Sequence, residues 1–357
     1  MKHVLSGVRV LELAAIGPVP WAGMLLADMG ADVLRIDRPG ADAAPAPTTR
    51  GRTAVQLDLK SPAGIEAARE LVRGADVLLE GMRPGALERL GLAPANCHDW
   101  NPALVIGRMT GWGQLGPLAD RAGHDINYIA LTGVLHSIGR EAPVPPLNLV
   151  GDYGGGGAFL LIGVLSALLS ARVTGRGCVV DAAMVDGAAS MMTLAYERLM
   201  QGRWRDERGV NGLDGGTPWY DVYATKDGRY MAVGCNEAPF YRIFLGGLGL
   251  DPDAVPDRND RAHWPALRQL FAERFALRTR EEWTAVFEPI DACVSPVLSM
   301  LEAPGHPHNM ARGTFRDFHG HVVPGPAPRF DAAPGELSGE TRTVEVAEAI
   351  ARWPQRS

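Results

Sequence analysis

The chain has 357 residues, is 46% apolar and 21% charged, and carries 35 basic against 41 acidic side chains, a net charge of −6. That length exceeds one ordinary core, so two domains are expected, and the composition is that of a packed globular protein rather than a disordered one. The acidic balance argues against general nucleic-acid binding, which needs a basic patch.

The four cysteines, Cys97, Cys178, Cys235 and Cys293, form no Cys-x-x-Cys pair. They read as reduced thiols rather than a disulfide frame or a zinc site, and no metal is expected. No signal-peptide pattern opens the chain, and no apolar run reaches the ~18 residues of a membrane span. The last residues are not a Ser-Lys-Leu address. A cytoplasmic protein without a membrane span is the expectation.

In chain order, residues 8–13 read as a first strand, which Ile16, Gly17, Pro18, Val19 and Pro20 interrupt. Residues 21–29 form a helix and 31–36 a second strand. Strand, helix and strand within about thirty residues make the βαβ unit of an open parallel sheet. Residues 41–49 are rich in Ala and Pro and are expected to be mobile. Residues 54–59 read as a third strand, followed by a helix that Ser61 caps with Pro62 in its first position. Residues 77–80 and 104–109 are further strands, with a helix near 86–90 between them. The first half is therefore a Rossmann-like α/β domain. It carries no Gly-x-Gly-x-x-Gly in its first turn, so a dinucleotide is not expected despite Asp37 at the end of the second strand.

The chain turns on residues 122–157. His124 and Asp152 stand at loop–helix junctions, where a side chain can face a cleft. After Asp152 come Tyr153 and four glycines, Gly154 to Gly157. Such glycines permit positive φ and close approach of a ligand to the backbone. A helix starting there would aim free N–H groups at whatever lies beside Asp152. Residues 158–169 read as a buried helix, 179–181 as a strand, and 182–200 as one long helix rich in Met. Met184 and Met191 share a face of it, as core filling or as a plastic apolar surface for acyl chains.

Residues 204–216 are polar and Gly-rich and read as a linker. Residues 220–225 and 230–234 form a hairpin around a Lys-Asp-Gly turn. Helices are expected from 236, at 264–275 and at 280–290, giving a small α+β domain. A last helix, 344–352, has the pattern to return to the first domain. The expected organisation is a large domain at 1–200 completed by 331–357, a linker at 201–219, a small domain at 220–303 and a return linker at 304–330.

These residues resemble a known family. Val-Arg-Val-Leu-Glu-Leu at 8–13, Gly-Ala-Asp-Val-Leu-Arg-Ile-Asp-Arg-Pro at 30–39 and Asp-Ala-Cys-Val-Ser-Pro-Val at 291–297 are similar to the family III CoA-transferase superfamily. Gly-His-Asp-Ile-Asn-Tyr at 123–128, Gly-Asp-Tyr-Gly-Gly at 151–155 and Glu237 before Phe240 and Tyr241 resemble its α-methylacyl-CoA racemase branch. The resemblance implies that His124 and Asp152 are the two acid/base groups and that Glu237 pairs with the histidine. It implies that coenzyme A is held by Arg38, Leu57, Asp58, Leu59, Lys60, Gly81, Met82, Arg83 and Arg89, and around Gly123, Asp125, Ile126, Asn127 and Tyr128. It also implies an interlocked homodimer whose sites are shared between subunits.

Two proton-transfer groups suit inversion of a stereocentre alpha to a thioester, with positioned N–H donors for the enolate oxygen. No separate cofactor is needed, because CoA is part of the substrate. The alternative is a CoA-transferase in which Asp152 is the nucleophile.

Overall fold

The computed structural model describes residues 3–41, 46–331 and 337–354. The chain divides into two compact units. One comprises Met1–Val134, Pro145–Thr193 and Pro307–Ser357; the other comprises Leu135–Val144 and Leu194–His306.

The first unit is α/β. Its parallel strands are β1 (Arg9–Leu13), β2 (Asp32–Asp37), β3 (Arg52–Gln56), β4 (Val77–Glu80), β5 (Val105–Thr110) and β6 (Val179–Ala183). They lie in the order β3-β2-β1-β4-β5-β6, and the short strand Arg342–Thr343 pairs outside β3, making seven. All pairings are parallel. Successive side chains of a strand point to opposite faces, and helices cover both. Val10, Val33, Val77, Leu79 and Val105 therefore pack beneath the helices Pro18–Asp28 and Phe159–Thr174. Leu11, Leu34, Leu78 and Ile106 pack on the other face, with Leu71 of the helix Pro62–Gly74 and with Trp353. Ser61 caps that helix by accepting from the Gly64 N–H, with Pro62 in the first turn, as its sequence signals. Trp353, 2% exposed, brings the helix Val346–Arg352 into this second core.

Several local expectations change. The first helix starts at Pro18 rather than 21, because a proline is tolerated in a first turn, where its missing N–H would find no partner. Pro94–Trp100 is a further helix. The expected single helix at 182–200 is a strand ending at Ala183, the helix Met184–Met191 and the helix Thr193–Met200. In the stretch 41–49, residues 42–45 lie outside the described residues, and Pro47–Thr49 forms a 3-10 turn with Thr49 N–H bonded to Ala46 O.

One correction concerns apolar length. The π-helix Leu149–Ala158 runs directly into Phe159–Thr174 and makes a continuous helix of 26 residues, long and apolar enough to cross a membrane. A scan for an uninterrupted apolar run passes over it because Gly151 to Gly157 and Asp152 break the run. In this fold Leu160, Val164, Ala167 and Ala171 of that helix are buried in the first core.

The second unit has a three-stranded antiparallel sheet, Tyr220–Ala224, Tyr230–Gly234 and Val294–Pro296. Its core is aromatic: Tyr223, Phe244, Phe271, Phe275, Trp283 and Phe287 come together from the sheet and from the helices Ala238–Gly247, Trp264–Phe275 and Arg280–Phe287. The Gly-rich stretch 204–216 is knit together by Asn211, 1% exposed, whose amide bonds Arg205 O, Glu207 O and Asp214.

Candidate active site

In an open α/β sheet of this strand order, the crevice outside the strands' carboxyl ends, where the order reverses, is the favoured ligand site. Here the reversal lies between β1 and β4, and a cavity of about 620 Å³ opens there. Ile16, Gly17 and Val19 follow β1 into its wall, Gly81, Met82 and Arg83 follow β4, Thr110 ends β5 and Trp112 follows it. His124 and Asp152 both line it, with Gly123, Tyr128, Asn148, Tyr153 and Met184.

His124 is exposed at the N-cap of the helix Asp125–Ala130, and its backbone N–H donates to Asn127 Oδ1 at 3.0 Å. Asn127 thus closes the turn that presents the histidine. Asp125 is buried at 7% exposure, and its Oδ2 accepts the Asp152 N–H at 2.7 Å. That bond crosses from the His124 segment to the Asp152 segment and ties the two together. Tyr128 is buried, donates its hydroxyl to Gly123 O, and stands edge-on to Trp112 at 4.8 Å.

Asp152 is half-buried and has no ion pair among the described residues; Asn148 Nδ2 donates to its Oδ2 at 3.1 Å. Burial raises its pKa above the ordinary aspartate value. The Asn148 hydrogen bond draws it back down, the charge of Asp125 pushes it up, and His124 draws it down. Burial likewise raises the Tyr128 phenol, with Asp152 adding to the rise and Arg83 opposing it.

The glycines after Asp152 do not play the expected part. The helix begins at Leu149, so Asp152 is in its first turn and Gly154 to Gly157 lie inside it. None of the four has a positive φ. They permit close packing. A Cβ on Gly155 would stand 2.6 Å from Ala188 N, and one on Gly187 would stand 1.9 Å from Gly155 O. A Cβ on Gly157 would stand 2.6 Å from the Trp21 ring. The glycine run thus seats the helix Met184–Met191 and Trp21 against the π-helix, and its N–H groups are not a free donor set. At the helix that follows His124, the Asp125 and Ile126 N–H groups have no backbone acceptor among the described residues.

Of the residues expected to hold coenzyme A, Gly81, Met82, Arg83, Gly123 and Tyr128 line the cavity. Arg38, Asp58, Lys60, Arg89, Ile126 and Asn127 are exposed outside it. The Leu57 side chain belongs to the second core, with the partly buried Leu59 packed against it. Glu237 lies in the second unit as the exposed N-cap of the helix Ala238–Gly247, and its carboxylate makes no cap bond. Asn148, Trp112 and Ile16 were not anticipated. Asn148 carries the one legible signal, an amide four residues before an acid, which is close to one helical turn.

Met184 and Met191 divide the two readings of the methionines. Met184 is 8% exposed and lines the cavity, whereas Met191 is 44% exposed and lies against Gly154.

Comparison with known proteins agrees with this architecture. The description of CoA-transferase family III matches residues 5–344. The chain is 45% identical over 352 residues to the alpha-methylacyl-CoA racemase of Mus musculus, covering 96% of this chain and 92% of that protein. It is 43% identical to the Homo sapiens protein of the same name, covering 91% and 86%. A CAIB/BAIF family protein from Brucella suis superposes with a TM-score of 0.84 at 26% identity, covering 99% of each chain. The chain belongs to CoA-transferase family III.

Proposed function

We propose that the protein racemises 2-methylacyl-CoA thioesters by 1,1-proton transfer through an enolate. The observation that carries this reading is the convergence of His124 and Asp152 on one cavity, with the carboxylate in no ion pair among the described residues. Burial of the carboxylate outside any ion pair raises its proton affinity, which suits a general base. One group removes the α-proton and leaves the enolate. The other delivers a proton to the opposite face, and the pair exchanges roles for the reverse direction. The named activity of the two mammalian relatives supports this assignment.

The open N–H groups of Asp125 and Ile126 stand next to His124 in sequence and are the donors we assign to the enolate oxygen. Arg83 and the backbone of Gly81 and Met82 hold the near part of the CoA arm, and Arg38, Lys60 and Arg89 serve its distal phosphates from outside the cavity. We further infer a homodimer in which Glu237 of the partner subunit orients the His124 imidazole. Two features support it: the uncommitted Glu237 carboxylate, and an exposed apolar stripe of Ile162, Leu169 and Val173 along one helix, at 59%, 69% and 87% exposure.

The test is incubation of a single-enantiomer 2-methylacyl-CoA in D₂O without an acceptor acid. One α-deuterium should enter as optical purity is lost. Retained configuration without label, with CoA passing to an added carboxylate, would instead establish Asp152 as a transferase nucleophile.

A further inference from the structure

Resting on the reading of Glu237 as the carboxylate that orients His124, we infer that Arg258 is the positioning residue that sets the direction of Glu237. The two residues directly before Glu237 are held by a single guanidinium. Arg258 Nη1 donates to Cys235 O at 3.3 Å, and Arg258 Nη2 donates to Asn236 O at 3.0 Å. Successive carbonyls of an extended chain point in opposite directions, so one fork reaches both only across a turn. That turn is present, with Asn236 N–H bonded to Gly234 O at 3.0 Å. The fork therefore fixes the backbone through which Glu237 enters its helix.

The arginine is itself fixed. Its guanidinium carbon lies 4.5 Å from the centre of the Tyr241 ring and 5.1 Å from that of Trp219. Trp264 Nε1 donates to Arg258 O at 2.8 Å, and the Trp264 ring stands edge-on to Trp219 at 5.5 Å. Tyr241 belongs to the helix that Glu237 caps, and its N–H bonds Glu237 O at 3.0 Å. Arg258 thus grips the Glu237 turn from both sides: two carbonyls before it and a ring four residues after it.

A cation near a helix N-terminus opposes the helix dipole, so stability of the helix Ala238–Gly247 gives no reason for an arginine here. The paired carbonyls and the ring faces give one. A lysine would keep the charge and the ring contacts but has no planar fork to span both carbonyls.

The test measures α-proton exchange in D₂O separately on each enantiomer, for full-length Arg258→Lys, Glu237→Gln and the double variant. Both single variants should slow exchange more from the enantiomer served by His124. The Arg258→Lys loss should be about 10-fold, within the ~10²-fold that an ångström of misplacement can cost. KM for the acyl-CoA should hold. In the Glu237→Gln background, Arg258→Lys should produce no further loss. Equal slowing of both enantiomers by Arg258→Lys, or a full additional loss in the double variant, overturns the latch while leaving the Glu237 assignment standing. An unaffected Glu237→Gln overturns that assignment first and the latch with it. Should Arg258→Lys fail to fold, Trp264→Phe removes the donor holding the Arg258 backbone and keeps an aromatic ring beside Trp219. It should show the same bias at smaller amplitude, and an unbiased loss again overturns the latch.

Discussion

Two regions of the α/β unit treat their carboxylates in opposite ways. Within the sheet, Glu12 is fully buried and accepts from Arg52 Nε at 3.0 Å, and Glu80 accepts from Arg108 Nε at 2.8 Å and from the Met82 N–H at 2.6 Å. Arg108 also forks onto Glu88, tying β5 to the helix Ala86–Arg89. In the crevice above the strand ends, Asp152 meets only an amide and two charges of opposite effect. The paired carboxylates position backbone: Glu80 holds the turn that carries Met82 and Arg83 into the cavity wall, and Arg52 reaches Pro20 O in the wall helix. Burial raises the pKa of all three carboxylates; Asp152 differs in lining the cavity with no guanidinium on its oxygens among the described residues.

Breaking a buried pair should have the largest effect on the molecule. Arg52→Met leaves Glu12 without its partner and should destabilise by about 3–5 kcal/mol in equilibrium unfolding. Adding Glu12→Leu should recover most of that loss. A single variant within ~1 kcal/mol of the parent would remove the contrast between the two regions.

Next comes the unpaired side. His124→Ala and Asp152→Ala should each lower racemisation by at least ~10²-fold, the lower range for one general acid or base. Each should also leave a one-sided enzyme, with opposite enantiomer preference in α-proton exchange. Slowing of both enantiomers in the same ratio would rule out the two-base assignment.

A smaller effect is expected at Asn148. Its amide draws the Asp152 pKa down, so Asn148→Ala should raise it further. The acid limb of kcat/KM should then move to higher pH, with a loss of roughly two- to ten-fold below that limb, the weight of one hydrogen bond. An unmoved limb would detach Asn148 from the site.

The smallest effect concerns stability. Because the folded-state pKa of Asp152 is raised, the ionised carboxylate disfavours folding at neutral pH, and this penalty is absent below the unfolded value of 3.8. Asp152→Asn should therefore raise Tm at pH 7. The difference should shrink as pH falls towards 3.8. A lowered Tm at pH 7 would show that the carboxylate is stabilised in a way the cleft does not display.

Much of the fold was legible because its signals are local. The βαβ start, the Ser61 cap and the hairpin at Asp227 and Gly228 each follow from residues within one or two turns. What escaped depends on contacts distant in sequence. Whether Gly155 serves a positive φ or a close approach is decided by Gly187, 32 residues away, and no local pattern tells the two apart. The break near Met192 in the expected long helix is equally silent, since no Gly or Pro marks it and Met191, Met192, Leu194 and Ala195 are good helix formers. In the site, His124 and Asp152 stood out through their flanking motifs, whereas Asn148 and Trp112 reach the cavity through the placement of the π-helix that Asn148 caps and of the turn after β5. Leu57 is a motif position whose side chain lies in the second core.

The helix that carries Asp152 joins two angular gears. An α-helix advances about 100° per residue, and a π-helix, bonding five residues back, turns less at each step. From Phe159 onward the faster pitch lays Leu160, Val164, Ala167 and Ala171 along one line towards the sheet. Through Leu149–Ala158 the slower pitch distributes its residues around the circumference, so that Asp152 meets the crevice, Gly155 the helix Met184–Met191 and Gly157 the Trp21 ring. The azimuth of Asp152 is thereby uncoupled from the azimuth of the core. Excising one residue between Asp152 and Phe159 would re-index the first against the second and swing the carboxylate away from the crevice, while the apolar line stayed in register with the sheet.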